Sequence, residues 1–362
     1  MHTPTRLPVT VVTGFLGAGK TTVLRHLLLN SGQRLAVLVN EFGEVGIDGD
    51  LLRSCGFCPD EELDGRLVEL ANGCLCCTVQ DDFLPTMERL LERSHQLDGI
   101  VVETSGLALP EPLVAAFGWP SVRTRTRVHG VVAVVDGQAL AAGHVVADAK
   151  ALEAQRAADP SLDHLDAIED LFEDQLQAAD LVLISRADVL NAADLAVVTA
   201  SLQQRTRSGT PLLPVAQGAL DPELLLGTSL LQRPDPDSQH DHHHEHAHGQ
   251  DHEHHHEHDH AHVAIESCAL ELQGQWQQAD LEAALQQLLE AQILVRLKGW
   301  LAMPGKQRLL QIQAVGPRLS CWYEGVSAGM DPAAQQGRLQ LVALGFDLDR
   351  QAIEQQLLAA SS

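Results

Sequence analysis

A glycine-rich stretch near the amino terminus constrains the fold of this chain more than any other feature. Residues 14–21 read GFLGAGKT and match the pattern G-x-x-x-x-G-K-[ST] of a phosphate-binding loop. The apolar run from Val9 to Thr13 before it predicts a β-strand, and residues 20–29 after it predict an α-helix. A strand, a glycine loop and a helix in this order predict a nucleotide-binding α/β fold.

The residue types in this loop suit the binding of a nucleoside triphosphate. Glycines let successive backbone N–H groups turn toward phosphate oxygens, and the amino terminus of the following helix adds positive potential. Lys20 is expected to neutralise the terminal phosphates, and the hydroxyl of Thr21 to hold Mg²⁺. The candidate phosphate-binding residues are Gly14, Gly17, Ala18, Gly19, Lys20, Thr21 and Thr22.

The hydrophobic pattern predicts two folded regions of different class. Up to residue 217, short apolar strands alternate with helices, which favours a P-loop NTPase domain with a mostly parallel sheet covered on both faces. From residue 263 onward, a strand, a helix, three strands and a final helix predict a smaller α+β domain. The predicted boundaries are 5–217, 218–262 and 263–362.

The predicted middle region contains an unusual histidine-rich stretch. Residues 235–262 hold 13 of the 19 histidines and eight Asp or Glu, with no Lys or Arg. Without apolar periodicity, nothing offsets the entropy cost of ordering this stretch, so it is expected to be a disordered linker. Imidazoles that are mostly neutral at cytosolic pH, interleaved with carboxylates, are expected to collect divalent metal loosely.

Overall charge argues against several functional classes. The chain of 362 residues carries 49 acidic and 24 basic side chains, for a net charge of −25. Attraction to phosphate backbones or anionic lipids therefore cannot drive binding, which disfavours nucleic-acid and membrane partners. No apolar run reaches the roughly 20 residues that span a bilayer, and no signal peptide is recognised, so a cytoplasmic location is expected.

A segment that leaves a predicted strand at Glu103 suits a nucleotide hydrolase with a mobile switch. In the sequence ETSG, Glu103 is placed to reach Mg²⁺ through water, and Gly106 to move its backbone toward a γ-phosphate. Lys20 and Glu103 are accordingly the candidate catalytic residues. The alternative is an ordinary turn from strand to loop.

A second segment, SRAD at residues 185–188, suits recognition of a base. Asp188 can accept hydrogen bonds from the ring and exocyclic N–H groups of guanine, and the stem of Arg186 can cover the base. The pattern corresponds to N-K-x-D with Ser185 in place of Asn and Arg186 in place of Lys. Helix capping is the alternative function for these four residues.

A cysteine cluster indicates a second kind of chemistry. Cys74, Cys76 and Cys77 follow the turn signal Asn72-Gly73 within the sequence NGCLCCTV. Thiolates presented from one turn bind Zn²⁺, Co²⁺ or Cu⁺, and metal binding deprotonates them. Buried, inert thiols are the alternative. A separate C-x-x-C pair, at residues 55 and 58, is either an additional source of ligands or a bystander.

Four motifs in order along the chain carry a family resemblance. TGFLGAGKTT, NEFGEVGIDGDLL at 40–52, NGCLCCTV at 72–79 and ETSGLALP at 103–110 together resemble the CobW family of metal-handling P-loop GTPases. Further similar stretches, including LFEDQLQAADLVLIS at 171–185 and MPGK at 303–306, extend the resemblance over nearly the whole chain outside the histidine-rich stretch.

The resemblance implies a GTP-dependent metallochaperone that uses Mg²⁺. It maps the residues of the phosphate-binding loop onto phosphate and Mg²⁺ binding, Glu103 onto the Walker-B-like acid and Asp188 onto guanine. It maps Cys74, Cys76 and Cys77 onto the metal site, with Glu41 approaching the same metal. It further implies that the cargo is Co²⁺ for cobalamin biosynthesis, delivered to a recipient such as a cobaltochelatase, although sister groups are implicated in zinc supply.

Other functions remain compatible with the residues alone. A metal-storage or buffering protein would show negligible metal-stimulated GTP turnover. A small-molecule kinase would also carry a phosphate-binding loop, but no lid-like arginine cluster supports it. A nickel GTPase of the hydrogenase or urease type is disfavoured by the C-x-C-C pattern.

Overall fold

The computed structural model describes residues 6–39, 67–69, 83–148, 150, 168–227, 265–291, 294–325 and 332–361. These residues form two β-sheets, one of seven strands and one of five. Within them, no helix is both long and apolar enough to cross a membrane.

The seven-stranded sheet is parallel throughout. Its strands are β1 (Leu7–Thr13), β2 (Leu35–Val39), β3 (Leu67–Glu69), β4 (Gly99–Glu103), β5 (Thr126–Asp136), β6 (Leu181–Ser185) and β7 (Leu212–Pro214). Their order across the sheet is β3-β2-β4-β1-β5-β6-β7. Strand β1 is therefore central, and the carboxyl ends of all the strands lie at one edge, where parallel α/β sheets bind ligands.

Helices cover both faces of this sheet. They are α1 (Lys20–Asn30), α2 (Leu84–Glu92), α3 (Pro110–Ala116), α4 (Pro120–Arg123), α5 (Gly137–Ala141), α6 (Ile168–Ala178), α7 (Ala192–Arg205) and α8 (Glu223–Leu226). Along β1, Val9 and Val11 pack with Phe83, whereas Val12 faces the opposite side and packs with Leu27 of α1. Because this strand is buried on both faces, most of its residues are apolar, and its two threonines, Thr10 and Thr13, have hydrogen-bonded hydroxyls.

The five-stranded sheet is antiparallel. Its strands are β8 (Glu266–Gln273), β9 (Leu294–Leu301), β10 (Leu309–Val315), β11 (Arg318–Glu324) and β12 (Arg338–Gly345), in the order β11-β10-β9-β12-β8. Helices α9 (Gln278–Ala291) and α10 (Arg350–Ala359) share its apolar core, to which Leu285 and Ile353 contribute. The predicted fold class, a P-loop-type α/β region with a smaller α+β region after it, is confirmed.

The sequence analysis did not predict β11. This strand lies at an edge of its sheet, and all seven of its residues are half-buried. Its sequence, RLSCWYE, mixes charged, polar and aromatic residues and so lacks both the continuous apolar run and the regular alternation that identify a strand. A two-residue connection, Gly316-Pro317, joins it to β10.

The predicted linker was placed over residues 218–262, but the structure describes its first ten residues, and residues 224–227 among them are buried. Helix α8 buries Leu224, Leu225 and Leu226 in the same apolar cluster as Val12 of β1 and Val295 of β9. Ordered structure therefore continues to Gly227, because burying three consecutive leucine side chains stabilises this segment against the packed domain. Residues 228–264 lie outside the described residues, and a linker there stays a prediction.

The two sheets contact each other through polar groups as well as apolar ones. The guanidinium of Arg296, on β9, donates through Nη1 to the carbonyl oxygen of Glu223 over 3.1 Å, and Lys298 Nζ donates to that of Gly227 over 2.9 Å. The Glu223 carbonyl also accepts the backbone N–H of Gly227 over 2.9 Å, so Arg296 adds a second, charged donor to it. The last turn of α8 is thus held by the second sheet.

Candidate nucleotide-binding site

The phosphate-binding loop runs from the end of β1 to the start of α1. Gly14 has φ +136, and a Cβ atom there would lie 2.2 Å from the carbonyl oxygen of Val134 on β5. Gly19, the residue before α1, has φ +103. Only glycine adopts these angles without strain, and at Gly14 only glycine fits. The loop conformation thus explains why glycine stands at these two positions.

Lys20 and Glu103 come together at the carboxyl edge of the sheet. Lys20 opens α1 and Glu103 ends β4, and both side chains are nearly buried. The Lys20 Nζ lies 3.8 Å from Glu103 Oε1 and donates to the carbonyl oxygen of Phe15 over 3.2 Å. An ammonium group held between the loop backbone and a carboxylate is placed to meet phosphate oxygens.

The segment after β4 is joined directly to β1 and to the loop. Thr104 donates its backbone N–H to Val12 over 2.9 Å and its hydroxyl to the Thr13 Oγ1 over 3.0 Å. A Cβ at Gly106 would lie 2.6 Å from the backbone nitrogen of Leu16. Gly106 therefore lies against the phosphate-binding loop by backbone contact, which a larger residue would prevent.

The SRAD segment approaches the same loop from β6. Arg186 has φ 54, and its guanidinium forms an ion pair with Asp136 and donates through Nη2 to the carbonyl oxygen of Gly17 over 3.2 Å. Asp136 in turn accepts hydrogen bonds from Gln138 N at 3.0 Å and Ala139 N at 3.1 Å. A chain of hydrogen bonds thus links the predicted base-recognition segment to the phosphate-binding loop.

Two other residues of that segment, Ser185 and Asp188, differ in burial. Ser185 is buried, and its hydroxyl has no hydrogen-bond partner among the described residues. A Cβ at Gly19 would lie 3.7 Å from this hydroxyl oxygen. Asp188 lies in the turn Ala187–Val189 and is exposed. The predicted guanine contacts of Asp188 and of the Arg186 stem stay predictions.

The donor set at this edge suits Mg²⁺ and a triphosphate. Mg²⁺ prefers oxygen ligands, and the hydroxyl of Thr21 at the start of α1 and the carboxylate of Glu103 are of that kind. A Cβ at Gly17 would meet nothing within 4 Å, so the space beside the loop backbone is open at this point. The residues present therefore fit both groups.

The predicted metal ligands Glu41, Cys74, Cys76 and Cys77 lie outside the described residues. The chain, however, enters both segments from the site's edge of the sheet. Strand β2 ends at Val39, which pairs with Glu103 of β4, and β3 ends at Glu69, which pairs with Val39. Strand β2 therefore ends next to Glu103 just before Glu41, and β3, which precedes the cysteine segment, ends one strand further from Glu103. Among the described residues, no group of three or more metal-binding side chains is present.

The sequence analysis missed two buried polar residues that support the site. Asp136 lies at the end of an apolar strand and caps the short helix that follows. An Asp between an apolar run and a helix is typical of a helix cap, and this was the sequence signal that could have identified it. Gln175 is a polar residue on the buried face of α6, and its amide bonds to the backbone after β4. A lone glutamine in an amphipathic helix gives no sequence signal of such a contact.

Comparison with known families covers most of the chain. Residues 8–214 match the model of the CobW/HypB/UreG nucleotide-binding domain. Residues 265–361 match that of the cobalamin synthesis protein cobW C-terminal domain.

Individual relatives match over nearly their whole length. A protein of Pseudomonas aeruginosa named zinc chaperone CobW is 44% identical, with 99% of this chain and 93% of the relative covered. A zinc chaperone CobW of a Sinorhizobium species is 40% identical, covering 98% of this chain and 97% of the relative. Among solved structures, Zn(II)-bound YjiA GTPase from E. coli is 23% identical with a TM-score of 0.40, covering 99% of this chain and 100% of that one.

Proposed function

Because the chain belongs to the CobW family of P-loop GTPases, we propose that it is a GTP-hydrolysing metallochaperone whose cargo is Zn²⁺. The observation that carries this proposal is the meeting of Lys20 and Glu103 at the edge from which the chain enters both predicted metal-binding segments. GTPase activity is a property of the family to which the chain belongs, whereas the identity of the metal cargo is what we propose here.

Two arguments favour Zn²⁺ over the Co²⁺ that the sequence resemblance implied. Two relatives covered over more than nine-tenths of their length are named zinc chaperones. In the divalent series, Zn²⁺ also binds nitrogen and sulfur ligands more tightly than Co²⁺, so three thiolates favour zinc unless geometry opposes it. Co²⁺ is retained as the second candidate, with a cobaltochelatase as its recipient.

The proposed mechanism divides the work among residues of this chain. The loop N–H groups and Lys20 would bind the phosphates. Thr21, and Glu103 through water, would hold Mg²⁺, which would offset charge on the phosphate oxygens. Asp188 and Arg186 recognise guanine. Cys74, Cys76 and Cys77, together with Glu41, bind the transition-metal cargo.

Coupling between nucleotide and cargo requires an element that has two arrangements. We assign this role to residues 40–52: GTP orders them against the cysteine segment and completes the metal site, and hydrolysis loosens the site for release to a recipient protein. A tenfold difference in metal affinity between the two nucleotide states requires only about 1.4 kcal/mol.

The test is a competitive titration of the purified full chain with Zn²⁺ and Co²⁺, in the presence of Mg²⁺ and either GTPγS or GDP. We expect tighter binding of Zn²⁺ than of Co²⁺, and at least tenfold tighter metal binding in the GTPγS state. Equal metal affinity in the two states would refute the coupling. Preference for Co²⁺ would transfer the proposal to the second candidate.

Cysteine variants locate the metal site in the same assay. Replacing Cys76 by serine should weaken Zn²⁺ binding at least tenfold, because a hydroxyl is a far poorer ligand than a thiolate. Cys321 provides the control: burial, followed by the nearby Glu282 carboxylate, raises the pKa of its thiol to about 12, so it stays protonated at neutral pH. Cys321→Ser should leave Zn²⁺ affinity unchanged.

A further inference from the structure

Gln175 lies near the middle of α6, beneath the turn that follows β4. Its side chain is buried, and its amide nitrogen Nε2 donates to the backbone oxygens of Gly106 over 3.2 Å and Ala108 over 3.1 Å. A primary amide has two N–H donors, so each hydrogen has an acceptor of its own. One side chain thus binds two carbonyl groups of the same turn.

The turn has a defined geometry. The backbone N–H of Ala108 donates to the carbonyl oxygen of Ser105 over 3.1 Å, which closes a four-residue β-turn. Neither central residue, Gly106 or Leu107, has a positive φ. Turns of types I′, II and II′ each need a positive φ at a central position, so these angles agree with type I. The carbonyl of Gly106 belongs to the central peptide, whose orientation distinguishes type I from type II.

The amide of Gln175 therefore fixes the orientation of the central peptide. A trans peptide holds its C=O and N–H on opposite sides, and the described residues contain no cis peptide. With the Gly106 carbonyl bound on the α6 side, the N–H of Leu107 faces away from α6. The two amide donors thus fix a peptide that follows Gly106, the residue type whose backbone is least restricted by its own side chain.

Helix α6 also contacts the phosphate-binding loop. Phe172 lies three residues before Gln175, on the same face of the helix, and its ring stacks on that of Phe15 with centroids 5.9 Å apart. On its other side, the turn lies against the loop at Leu16. The turn is thus enclosed between α6 and the loop that would hold the phosphates.

We propose that Gln175 is a positioning residue for GTP hydrolysis. It does not touch the nucleotide; it holds the Gly106–Leu107 peptide in the orientation in which the turn meets the γ-phosphate. The inference rests on the proposed role of Gly106 at that phosphate. Gln175 should therefore matter for a bound triphosphate and not for a bound diphosphate.

The test replaces Gln175 by methionine, which has a similar volume and no N–H donor. Gln177, on the same helix, is the matched control, since it is exposed and its amide donates to the Arg205 carbonyl at the surface. For both variants, kcat and KM for GTP and the Kd values of GTPγS and GDP are measured, with circular dichroism to establish folding. Gln175→Asn, which keeps the amide but is one methylene shorter, is the second variant if the methionine variant does not fold.

We expect Gln175→Met to lower kcat at least tenfold and to weaken GTPγS binding at least fivefold relative to GDP, with GDP affinity within threefold of wild type. Gln177→Met should resemble the wild type in every measurement. The proposal is overturned if kcat stays within twofold of wild type, or if GTPγS and GDP affinities fall together. If the wild-type chain hydrolyses no GTP, the proposed function fails. The change in GTPγS affinity relative to GDP affinity in Gln175→Met then still shows whether Gln175 positions the turn at a bound triphosphate.

Discussion

Asp180 and Arg318 form an ion pair that joins the two sheets. The Arg318 Nε donates to Asp180 Oδ2 over 2.5 Å, and the Asp180 side chain is fully buried. The same carboxylate accepts the backbone N–H of Val131 over 2.8 Å and a hydrogen bond from Arg207 Nη2 over 2.5 Å. Asp180 ends the turn before β6, so the second sheet is anchored beside a strand that leads to the candidate nucleotide site.

Asp180→Asn should destabilise the protein by about 3 kcal/mol, because it leaves donors around a buried site without their charged acceptor. Glu354→Gln is the control, since the Arg350–Glu354 pair is solvent-exposed and separated by one helical turn. Its expected cost is under about 0.5 kcal/mol. Urea denaturation of both variants measures the free energy of unfolding, and equal losses would show that the buried contacts contribute no more than surface ones.

Gly14→Ala should destabilise the chain by about 3 kcal/mol, as it combines a left-handed φ with a Cβ placed 2.2 Å from the Val134 oxygen. Gly143→Ala separates the two effects, because its φ of +84 is also left-handed but no atom lies within 4 Å of the added Cβ. Its expected cost is about 1 kcal/mol. Thermal unfolding compares the variants, and a loss at Gly14 no greater than that at Gly143 would contradict the close backbone approach.

Acid should destabilise the protein through His129. Burial lowers the pKa of this imidazole well below 6.5, and the positive charges of Arg296, Lys298 and Arg127 lower it further. The folded state therefore keeps His129 neutral, while the unfolded state takes up a proton below about pH 6.5, so stability falls as pH falls. Between pH 7 and 5.5, we expect the wild type to lose about 1 kcal/mol more than His129→Gln.

The measurement for His129 is urea denaturation at pH 7, 6.25 and 5.5. The same substitution at His95, which is exposed, controls for the loss of an imidazole. A wild-type pH dependence identical to that of His129→Gln would mean that folding does not lower the pKa of this histidine.

Lys20→Gln should weaken GTPγS binding about 10- to 100-fold, the equivalent of one charge-assisted hydrogen bond of about 1.5–3 kcal/mol. Arg25→Gln removes a positive charge from the same helix, but Arg25 is exposed to solvent. Its GTPγS affinity should stay within about twofold of wild type, because exposed charges interact weakly through water. Calorimetric titration tests both, and similar losses in the two variants would show that only net charge matters.

Local pattern predicted the elements that carry the nucleotide site. The apolar run of β1, the glycines of the loop and the start of α1 are determined by residues that are neighbours in the chain, and their periodicity and turn chemistry can be recognised without coordinates. The positions of Glu103 and Ser185 at strand ends were predicted for the same reason. Residues 218–227 were not, because the burial that orders them comes from packing partners distant in sequence. Strand β11 was not either, because its mixed charged, polar and aromatic residues show no strand periodicity.

By itself, the sequence determined that this chain binds nucleotide phosphates on a parallel sheet, since backbone geometry in a glycine loop is a local property. Only the tertiary structure decided how that loop is supported. Asp136 pairs with Arg186 from 50 positions away, and the Gln175 amide reaches Gly106 from 69 positions away. Such contacts depend on how distant segments meet in the fold, and a buried Asp or Gln in a linear sequence does not show which carbonyl or cation it will face.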